Sequence, residues 1–404
     1  FTTKKGCLLH CLKPNKCMQM IPTIYRKRTL FAWQLPWLLG LLLFGPSLVR
    51  ANGGAAFSWD HVPLYAHVAI GEGFEQAQYE FLADHYQLIT FTGGPREKAV
   101  EPVIADAVRI IKKRKPDVRV LTYWCAETPR GYYRELNKSF PQDGFIQPAP
   151  KDGGRKHCFD LSKPEVRSWW ADSAARLVSE YGCDGIFVDG ATVCMPGEAW
   201  SRIFGAEKTV EMEQGMFSML REAQQKIGTG AVAVFNPLHG YEAGEEPQRQ
   251  DYLAVLDGAM IDDFARPGGR KPQSPDYLFN TLKVMSQAAK QGKVIIFKAW
   301  PSFTWRIDSE TMRKTAAGQH AVAKQDLLFP LACFLIAAEP NCYFCYTWGW
   351  GPQYGTFMRY PEFDKPLGPP KGNAHKDGWA FRREFEHASV FVNLETREAD
   401  IRWK

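Results

Sequence analysis

The chain has 404 residues, with 50 Lys and Arg against 44 Asp and Glu, and its formal net charge is +6. Residues 1–51 contain eight basic residues and no acidic one, so the other 353 residues contain 42 basic and 44 acidic residues and carry a net charge of −2. With 45% hydrophobic and 23% charged residues, the composition excludes a disordered, collagenous or coiled-coil protein. Nucleic-acid binding requires a basic surface that the near-neutral part of the chain lacks, so we expect no nucleic-acid partner.

The first 51 residues have the layout of a secretory signal peptide. Three basic residues at 26–28 precede an apolar run over 35–44, and the small residue Ala51 ends a cleavage pattern. Pro and Gly interrupt the run, which disfavours a membrane-spanning helix of about 20 residues, although a retained anchor is an alternative. A basic region of normal length begins at Met18 or Met20, so earlier residues are interpreted as upstream translation. We predict a secreted or periplasmic protein, cleaved near Ala51 and without stable membrane association afterwards.

From residue 62 onward, short β-rich apolar runs alternate with helical stretches whose apolar residues recur at spacings of three and four. This alternation predicts a parallel sheet, because a parallel connection requires a return of helix length. Eight strands in roughly 300 residues fit a (β/α)8 TIM barrel of the α/β class. The predicted strands are Leu64–Ile70, Leu88–Thr92, Arg119–Cys125, Gly185–Asp189, Val232–Asn236, Ala259–Asp262, Val294–Ala299 and Cys342–Thr347. The predicted helices include Glu101–Lys115, Glu165–Tyr181, Val210–Ile227, Tyr277–Gln291 and Ser309–Ala337, the last long enough for two.

The alternative fold is an open doubly wound sheet. That fold calls for a Gly-rich turn after the first strand, and the Gly-Glu-Gly turn at 71–73 lacks the third glycine of the motif. A catalytic barrel is therefore predicted over residues 62–350. Residues 351–404 are predicted to form a loop and a short C-terminal β appendage packed on the barrel, since Phe381–Trp403 has the composition of two or three short strands.

Carboxylates are predicted at the rim of the barrel, where the active site of this fold lies. Asp189 ends the fourth strand, and Asp262 and Asp263 end the sixth. Glycoside hydrolysis requires such a pair, since one carboxylic acid protonates the leaving oxygen while a second carboxylate attacks the sugar or activates water. We assign Asp189 as nucleophile and Asp262 as acid/base, with Asp263 as the alternative because adjacent strand residues point to opposite sides. A structural role, in which each aspartate caps a turn or pairs with an arginine, stays open.

Other polar and aromatic residues near the strand ends are candidates for substrate binding. Aromatic rings stack on the apolar faces of sugars while polar groups bind their hydroxyls, although each aromatic residue taken alone is more often part of a core. The candidates are Glu72, Tyr123, Trp124, Glu127, Asn236, Lys298, Trp300, Trp348 and Trp350.

The segments around these carboxylates resemble those of a known family. Residues 159–170, with their Phe-Asp and Trp-Trp pairs, and the two D-G-x-x-x-D motifs that end at Asp189 and Asp262 are similar to hypothetical glycosyl hydrolase family 15, in the α-galactosidase-like superfamily. Family 114, the endo-α-1,4-polygalactosaminidases, is a more distant relative. The resemblance covers most of residues 62–400 and implies a barrel with a nucleophile or base at position 189 and an acid at position 262. Related enzymes commonly carry Glu on the sixth strand, so Asp262 departs from their pattern by one methylene.

Two other functions stay open from the sequence. A sugar-binding barrel without activity would use the same aromatic residues, and a Schiff-base lyase or aldolase would use Lys298, whose apolar neighbours would lower its pKa. A lysine that pairs with a carboxylate or binds a substrate hydroxyl is the simpler interpretation of Lys298. We predict no cofactor and no metal, because the histidines, including His67, lack the spacing of metal ligands. The carbohydrate substrate is the one partner that the sequence predicts.

Overall fold

The computed structural model describes residues 57–146, 158–191, 204–245, 249–264, 272–304 and 309–404, without the side chain of Asp263. The predicted signal peptide and the side chain of the alternative acid, Asp263, therefore lie outside the described part of the chain.

Eight parallel strands follow one another around the sheet in the order β1 to β8. A parallel bridge between Leu64 and Phe344 brings the last strand beside the first. This sequential order confirms the predicted (β/α)8 TIM barrel, and the open doubly wound alternative is wrong. The strands are β1 (Tyr65–Ala69), β2 (Leu88–Thr92), β3 (Arg119–Cys125), β4 (Gly185–Asp189), β5 (Val232–Phe235), β6 (Gly258–Phe264), β7 (Val294–Ala299) and β8 (Cys342–Tyr346).

The described α-helices lie between these strands, and one of the two 3₁₀ helices follows β8. They are α1 (Gln76–His85), α2 (Val100–Arg114), α3 (Arg134–Asn137), α4 (Pro164–Ser179), α5 (Ala206–Ile227), α6 (Pro275–Lys290), α7 (Ser309–Met312), α8 (Ala316–Asp326) and α9 (Leu328–Ala337), with 3₁₀ helices at Gln250–Ala254 and Pro361–Phe363. The stretch predicted as one or two helices over 309–337 is three helices. Its second helix begins where the Thr315 hydroxyl accepts a hydrogen bond from the backbone N–H of Gly318, an N-cap that starts a new helix.

The barrel has two apolar layers because successive strand residues point to opposite faces. Every second residue of a strand fills the barrel interior, as Tyr123 and Phe187 do, and the residues between them pack against the helices, as Trp124 and Val188 do. Both layers are buried, which explains why the strands are continuous apolar runs in the sequence. At the carboxyl ends of the strands, the positions that face the barrel interior are occupied by polar residues. The alternation along each strand therefore decides which side chains face the open end of the barrel.

The two D-G-x-x-x-D motifs have a structural explanation at their first two positions. Asp184 accepts a hydrogen bond from the backbone N–H of Val120 on the preceding strand at 2.8 Å. Gly185 has a φ of 150°, and a Cβ there would lie 1.9 Å from the carbonyl oxygen of Val232 on the following strand. The aspartate therefore fixes β4 to β3, and the glycine allows β5 to approach.

The second motif repeats this arrangement on β6. Asp257 accepts hydrogen bonds from the Ala233 backbone N–H at 3.0 Å and from the Gln224 side chain at 2.8 Å. A Cβ on Gly258 would lie 2.1 Å from the Val294 carbonyl oxygen. In both motifs the last aspartate stands four residues after the glycine, an even spacing that returns it to the interior face at the rim.

The C-terminal residues form a separate four-stranded antiparallel sheet in the order β12-β11-β10-β9. Its strands are β9 (His375–Asp377), β10 (Ala380–Glu384), β11 (Ala388–Asn393) and β12 (Ala399–Trp403). Arg383 of β10 is buried against the barrel and donates hydrogen bonds to the carbonyl oxygens of Leu335, Ile336 and Ala338 at the end of α9. This guanidinium therefore links the small sheet to the barrel.

Within the described ranges, no single helix is both long enough and apolar enough to cross a membrane. Helices α8 and α9 meet that test only as a pair, with a bend of 50° between them. The described cysteines are free thiols, and all of them are buried: Cys125, Cys158, Cys183, Cys333, Cys342 and Cys345.

Candidate active site

A cavity of about 510 Å³ opens at the carboxyl ends of the strands. Five of the predicted site residues line it: Tyr123, Asp189, Asn236, Asp262 and Trp350. Seven further lining residues were not among the predictions: His67, Ala69, Thr92, Gly93, Arg130, Tyr132 and Phe187. The cavity thus combines two carboxylates with aromatic rings and one arginine.

Asp189 is held by two hydrogen-bond donors. Its Oδ2 accepts from the Tyr123 hydroxyl at 2.6 Å, and its Oδ1 accepts from the Asn236 side-chain amide at 3.0 Å. Tyr123 and Asn236 are supplied by β3 and by the residue after β5, the two neighbours of β4. The Asp189 carboxylate is therefore fixed in orientation from both sides.

Asp262 reaches the same cavity from β6. It is half-buried, stands two residues after the interior residue Met260, and lines the cavity. Its backbone carbonyl accepts a hydrogen bond from the indole N–H of Trp300 at 2.5 Å. The end of β6 is thereby tied to the residue that follows β7.

Lys298 and Trp300 lie behind the cavity wall and do not line it. Lys298 is completely buried, and its Nζ donates to both the carbonyl and the hydroxyl oxygen of Thr347 at 2.6 Å. The same nitrogen lies 3.9 Å from the ring centre of Trp300 and 5.4 Å from that of Trp350. Burial lowers the pKa of Lys298, and the Cys345 and Asp262 side chains act in the opposite direction. Lys298 therefore supports the tryptophans at the rim.

His67 is a lining residue whose protonation state is fixed by its surroundings. It is 3% exposed, its Nδ1 lies 3.1 Å from the Tyr65 hydroxyl, and its ring packs against Trp350 and Phe187. Burial and, secondarily, the Lys298 cation lower the pKa of His67 to about 3. The imidazole is neutral at physiological pH and can both donate and accept a hydrogen bond.

Besides Lys298 and Trp300, four of the predicted substrate-binding residues are not part of the cavity lining. Trp124 and Trp348 are buried, and their indole N–H groups donate to the Trp170 carbonyl and the Gln319 side chain. Trp124 occupies the helix-facing position next to the interior residue Tyr123, so the alternation of the strand places it outside the barrel. Glu72 is exposed and pairs with Lys98 at 3.7 Å, and Glu127 is half-buried outside the lining.

Tyr123 and Arg130 form the electrostatic surroundings of Asp189. Burial, with the Cys125 and Asp189 side chains, raises the pKa of Tyr123 well above its ordinary value, so its hydroxyl stays protonated. Burial acts to lower the pKa of Arg130, but Cys125 and Tyr123 more than offset it and the net shift is upward. Among the residues described, no cluster of three or more His, Cys, Asp or Glu side chains has the arrangement of a metal site.

The sequence matches the model of hypothetical glycosyl hydrolase family 15 over residues 112–389, which is more than half of its length. The chain belongs to this family. The match includes β3 to β8 and therefore both candidate carboxylates, Asp189 and Asp262, and it makes the chain a glycoside hydrolase. Among curated proteins, none matches this chain.

Several solved glycoside hydrolases are distantly similar in structure. The glycoside hydrolase domain of PelA from Pseudomonas aeruginosa is 15% identical, with a TM-score of 0.39 over 59% of this chain and 83% of that one. Ega3 from Aspergillus fumigatus, solved with galactosamine, is 11% identical, with a TM-score of 0.39 over 65% and 85%. The maltogenic α-amylase AmyB from Thermotoga neapolitana is 10% identical, with a TM-score of 0.48 over 82% and 85%. At such identities no substrate transfers to this chain.

Proposed function

We propose that the chain is a retaining glycoside hydrolase in which Asp189 is the nucleophile and Asp262 is the acid/base residue. The observation that carries this proposal is that both oxygens of Asp189 accept hydrogen bonds, one from Tyr123 and one from Asn236. Two donors directed at one carboxyl group suit an acceptor-only carboxylate, which is the form that a nucleophile or base requires.

The reaction takes place in two displacements. Asp262 first protonates the glycosidic oxygen while Asp189 attacks the anomeric carbon, and the bond to the leaving sugar breaks. Asp262, now a carboxylate, then removes a proton from a water molecule whose oxygen attacks the same carbon, and Asp189 departs as a carboxylate.

The substrate that we propose is a poly- or oligosaccharide. The cavity of about 510 Å³ is within the range of about 300–1,000 Å³ common for small-molecule sites. Trp350 and Tyr132 offer aromatic faces for a sugar ring, and His67 and Asn236 offer polar groups for its hydroxyls.

The test is hydrolysis of a panel of polysaccharides by the wild type, Asp189→Asn and Asp262→Asn. Each variant should lose on the order of 10³-fold or more in kcat. Glu72→Gln is the matched control, because Glu72 is an exposed rim carboxylate outside the cavity, and it should keep wild-type activity. Undiminished hydrolysis by Asp189→Asn contradicts the proposal. Glycan binding with no turnover by the wild type would favour the non-catalytic barrel instead.

An activated substrate distinguishes the acid from the nucleophile. An aryl glycoside with a good leaving group needs no proton for departure, so Asp262→Asn should regain a burst of aryl alcohol release while Asp189→Asn should not. Asp263→Asn should resemble the wild type on both substrates. The reverse order of effects at positions 262 and 263 would move the acid/base role to Asp263.

We also propose that the protein is secreted or periplasmic. The basic, apolar and small-residue segments of residues 1–51 support this proposal. N-terminal sequencing of the exported protein should begin near Asn52, and a product that retains residues 26–44 would contradict it.

A further inference from the structure

Arg130 lies in the loop that follows β3 and is fixed there by its own backbone. Its carbonyl oxygen accepts hydrogen bonds from the Tyr133 backbone N–H at 3.0 Å and from the Asn137 side chain at 2.9 Å. Tyr133 is buried, and its hydroxyl donates to the carbonyl oxygen of Tyr123 at 2.5 Å. The loop is therefore attached to β3 at the same residue whose side chain contacts Asp189.

The direction of the hydrogen bonds at Tyr123 is fixed by chemistry. Nη2 of Arg130 lies 2.7 Å from the Tyr123 hydroxyl oxygen, which lies 2.6 Å from Oδ2 of Asp189. A guanidinium has donors only, so the Tyr123 oxygen accepts from Arg130 and its single hydrogen must point to Asp189. Donation from a cation also polarises the hydroxyl and strengthens the bond that it donates in turn.

The Arg130 guanidinium contacts the Tyr123 side of the Tyr123–Asp189 hydrogen bond. In the described part of the chain no carboxylate lies within ion-pair distance of its guanidinium, which contacts Tyr123 both through the hydroxyl and with Cζ 5.4 Å from the ring centre.

We propose that Arg130 is a positioning residue that acts on Asp189 through the Tyr123 hydroxyl. The proposal rests on the proposed function of Asp189. Arg130 keeps the Tyr123 O–H directed at the carboxylate, so that Asp189 is aligned before attack and accepts the same hydrogen bond again when it departs.

A double-mutant cycle tests this dependence. The variants are Arg130→Met, Tyr123→Phe and the double variant, with kcat, KM and the pH profile of kcat/KM measured for each. Tyr123→Phe should lower kcat about 10- to 100-fold, and Arg130→Met about 10-fold, in line with the loss of one charge-assisted hydrogen bond. The double variant should equal Tyr123→Phe alone, because Arg130 has no route to Asp189 without the hydroxyl. The acid limb of the profile should move to higher pH in Arg130→Met.

Two controls separate this role from a structural one. Arg134→Met removes the next arginine of the same segment, which is exposed and donates to the Arg96 carbonyl, and it should leave the rate and the acid limb unchanged. Arg130→Lys keeps the cation and should recover part of the rate. If Arg130→Met does not fold, the cycle is run with Arg130→Gln, which also removes the charge.

Additive losses in the cycle, or a loss confined to KM, would overturn the proposal, because Arg130 would then act on the substrate directly. The proposed function fails separately, through an Asp189→Asn variant that keeps its activity. An inactive Asp189→Asn together with an additive cycle would retain the nucleophile and reject the role of Arg130.

Discussion

Replacement of Arg383 by methionine should weaken the attachment of the C-terminal sheet to the barrel. Nη1 of Arg383 lies 3.1, 3.3 and 2.5 Å from the carbonyl oxygens of Leu335, Ile336 and Ala338. These carbonyls are at the end of α9, where a helix has no internal donors and where a cation complements the helix dipole. The last turn of α9 contains no basic residue of its own, so Arg383 supplies this donor from β10.

The expected loss follows from these contacts. Hydrogen bonds to a charged group contribute about 1.5–3 kcal/mol net, and a buried carbonyl left without a donor costs about 1–3 kcal/mol. Since Arg383 is 3% exposed, water replaces it poorly, and Arg383→Met should lower the free energy of unfolding by about 4 kcal/mol. At about 2 °C per kcal/mol for a chain of this size, Tm should fall by about 8 °C.

Urea unfolding and differential scanning calorimetry measure this loss. Arg382→Met is the matched control, because Arg382 is exposed on the opposite face of the same strand with its Cζ 4.4 Å from the ring centre of Phe391. It should cost no more than about 1 kcal/mol. An Arg383→Met protein within 1 kcal/mol of the wild type would show that the carbonyls of α9 are satisfied without Arg383, and the reasoning would be wrong.

Three further predictions concern the site. Trp350 lines the cavity, so Trp350→Ala should raise KM about 10-fold with little change in Tm. Trp348 is buried outside the cavity, so Trp348→Ala should cost about 3–5 kcal/mol of stability and leave KM unchanged. The reverse pattern in kinetics and thermal melts would contradict the placement of the two residues. His67 has a folded pKa of about 3, below the 6.5 of the unfolded chain, so the unfolded state binds more protons between these values. Its contribution to stability is complete above pH 6.5 and falls by a few kcal/mol as pH approaches 3, and urea unfolding of wild type and His67→Gln should show a weaker pH dependence in the variant. Borohydride reduction in the presence of a carbonyl sugar should leave Lys298 unmodified, because its nitrogen is buried against Thr347; an adduct found by peptide mapping would favour the Schiff-base alternative.

The barrel could be predicted from the sequence because its strands are buried on both faces and therefore appear as continuous apolar runs. Strand boundaries differ by a residue or two at their ends; β6, for example, begins at Gly258 and ends at Phe264. The division of residues 309–337 into three helices depends on the Thr315 cap, which composition does not reveal. Asp184 and Asp257 are visible in the sequence as the first residues of the two motifs. Their hydrogen bonds to the preceding strands cannot be predicted from the motifs, because they depend on which strands are neighbours in the sheet.

The cavity lining was harder to predict than the fold. Tyr123 and Trp124 are adjacent in the sequence, and both are aromatic. Only the alternation along β3 decides that Tyr123 faces the cavity and Trp124 faces the helices. Arg130 lies in a loop without a motif, and its place beside Tyr123 results from the contacts of Tyr133 and Asn137. In the sequence His67 is an isolated histidine without the spacing of a metal ligand, and its burial against Phe187 has no counterpart in its local sequence.

The most direct test of the central claim is azide rescue of Asp189→Ala on an activated aryl glycoside. Removal of the nucleophile leaves space in which azide can attack the anomeric carbon directly, so the account predicts recovered turnover and a glycosyl azide of inverted anomeric configuration. Asp262→Ala should instead give a glycosyl azide of retained configuration, because Asp189 still forms the covalent intermediate. Wild-type turnover by Asp189→Ala without azide, or a retained azide product from it, would contradict the assignment of Asp189 as the nucleophile.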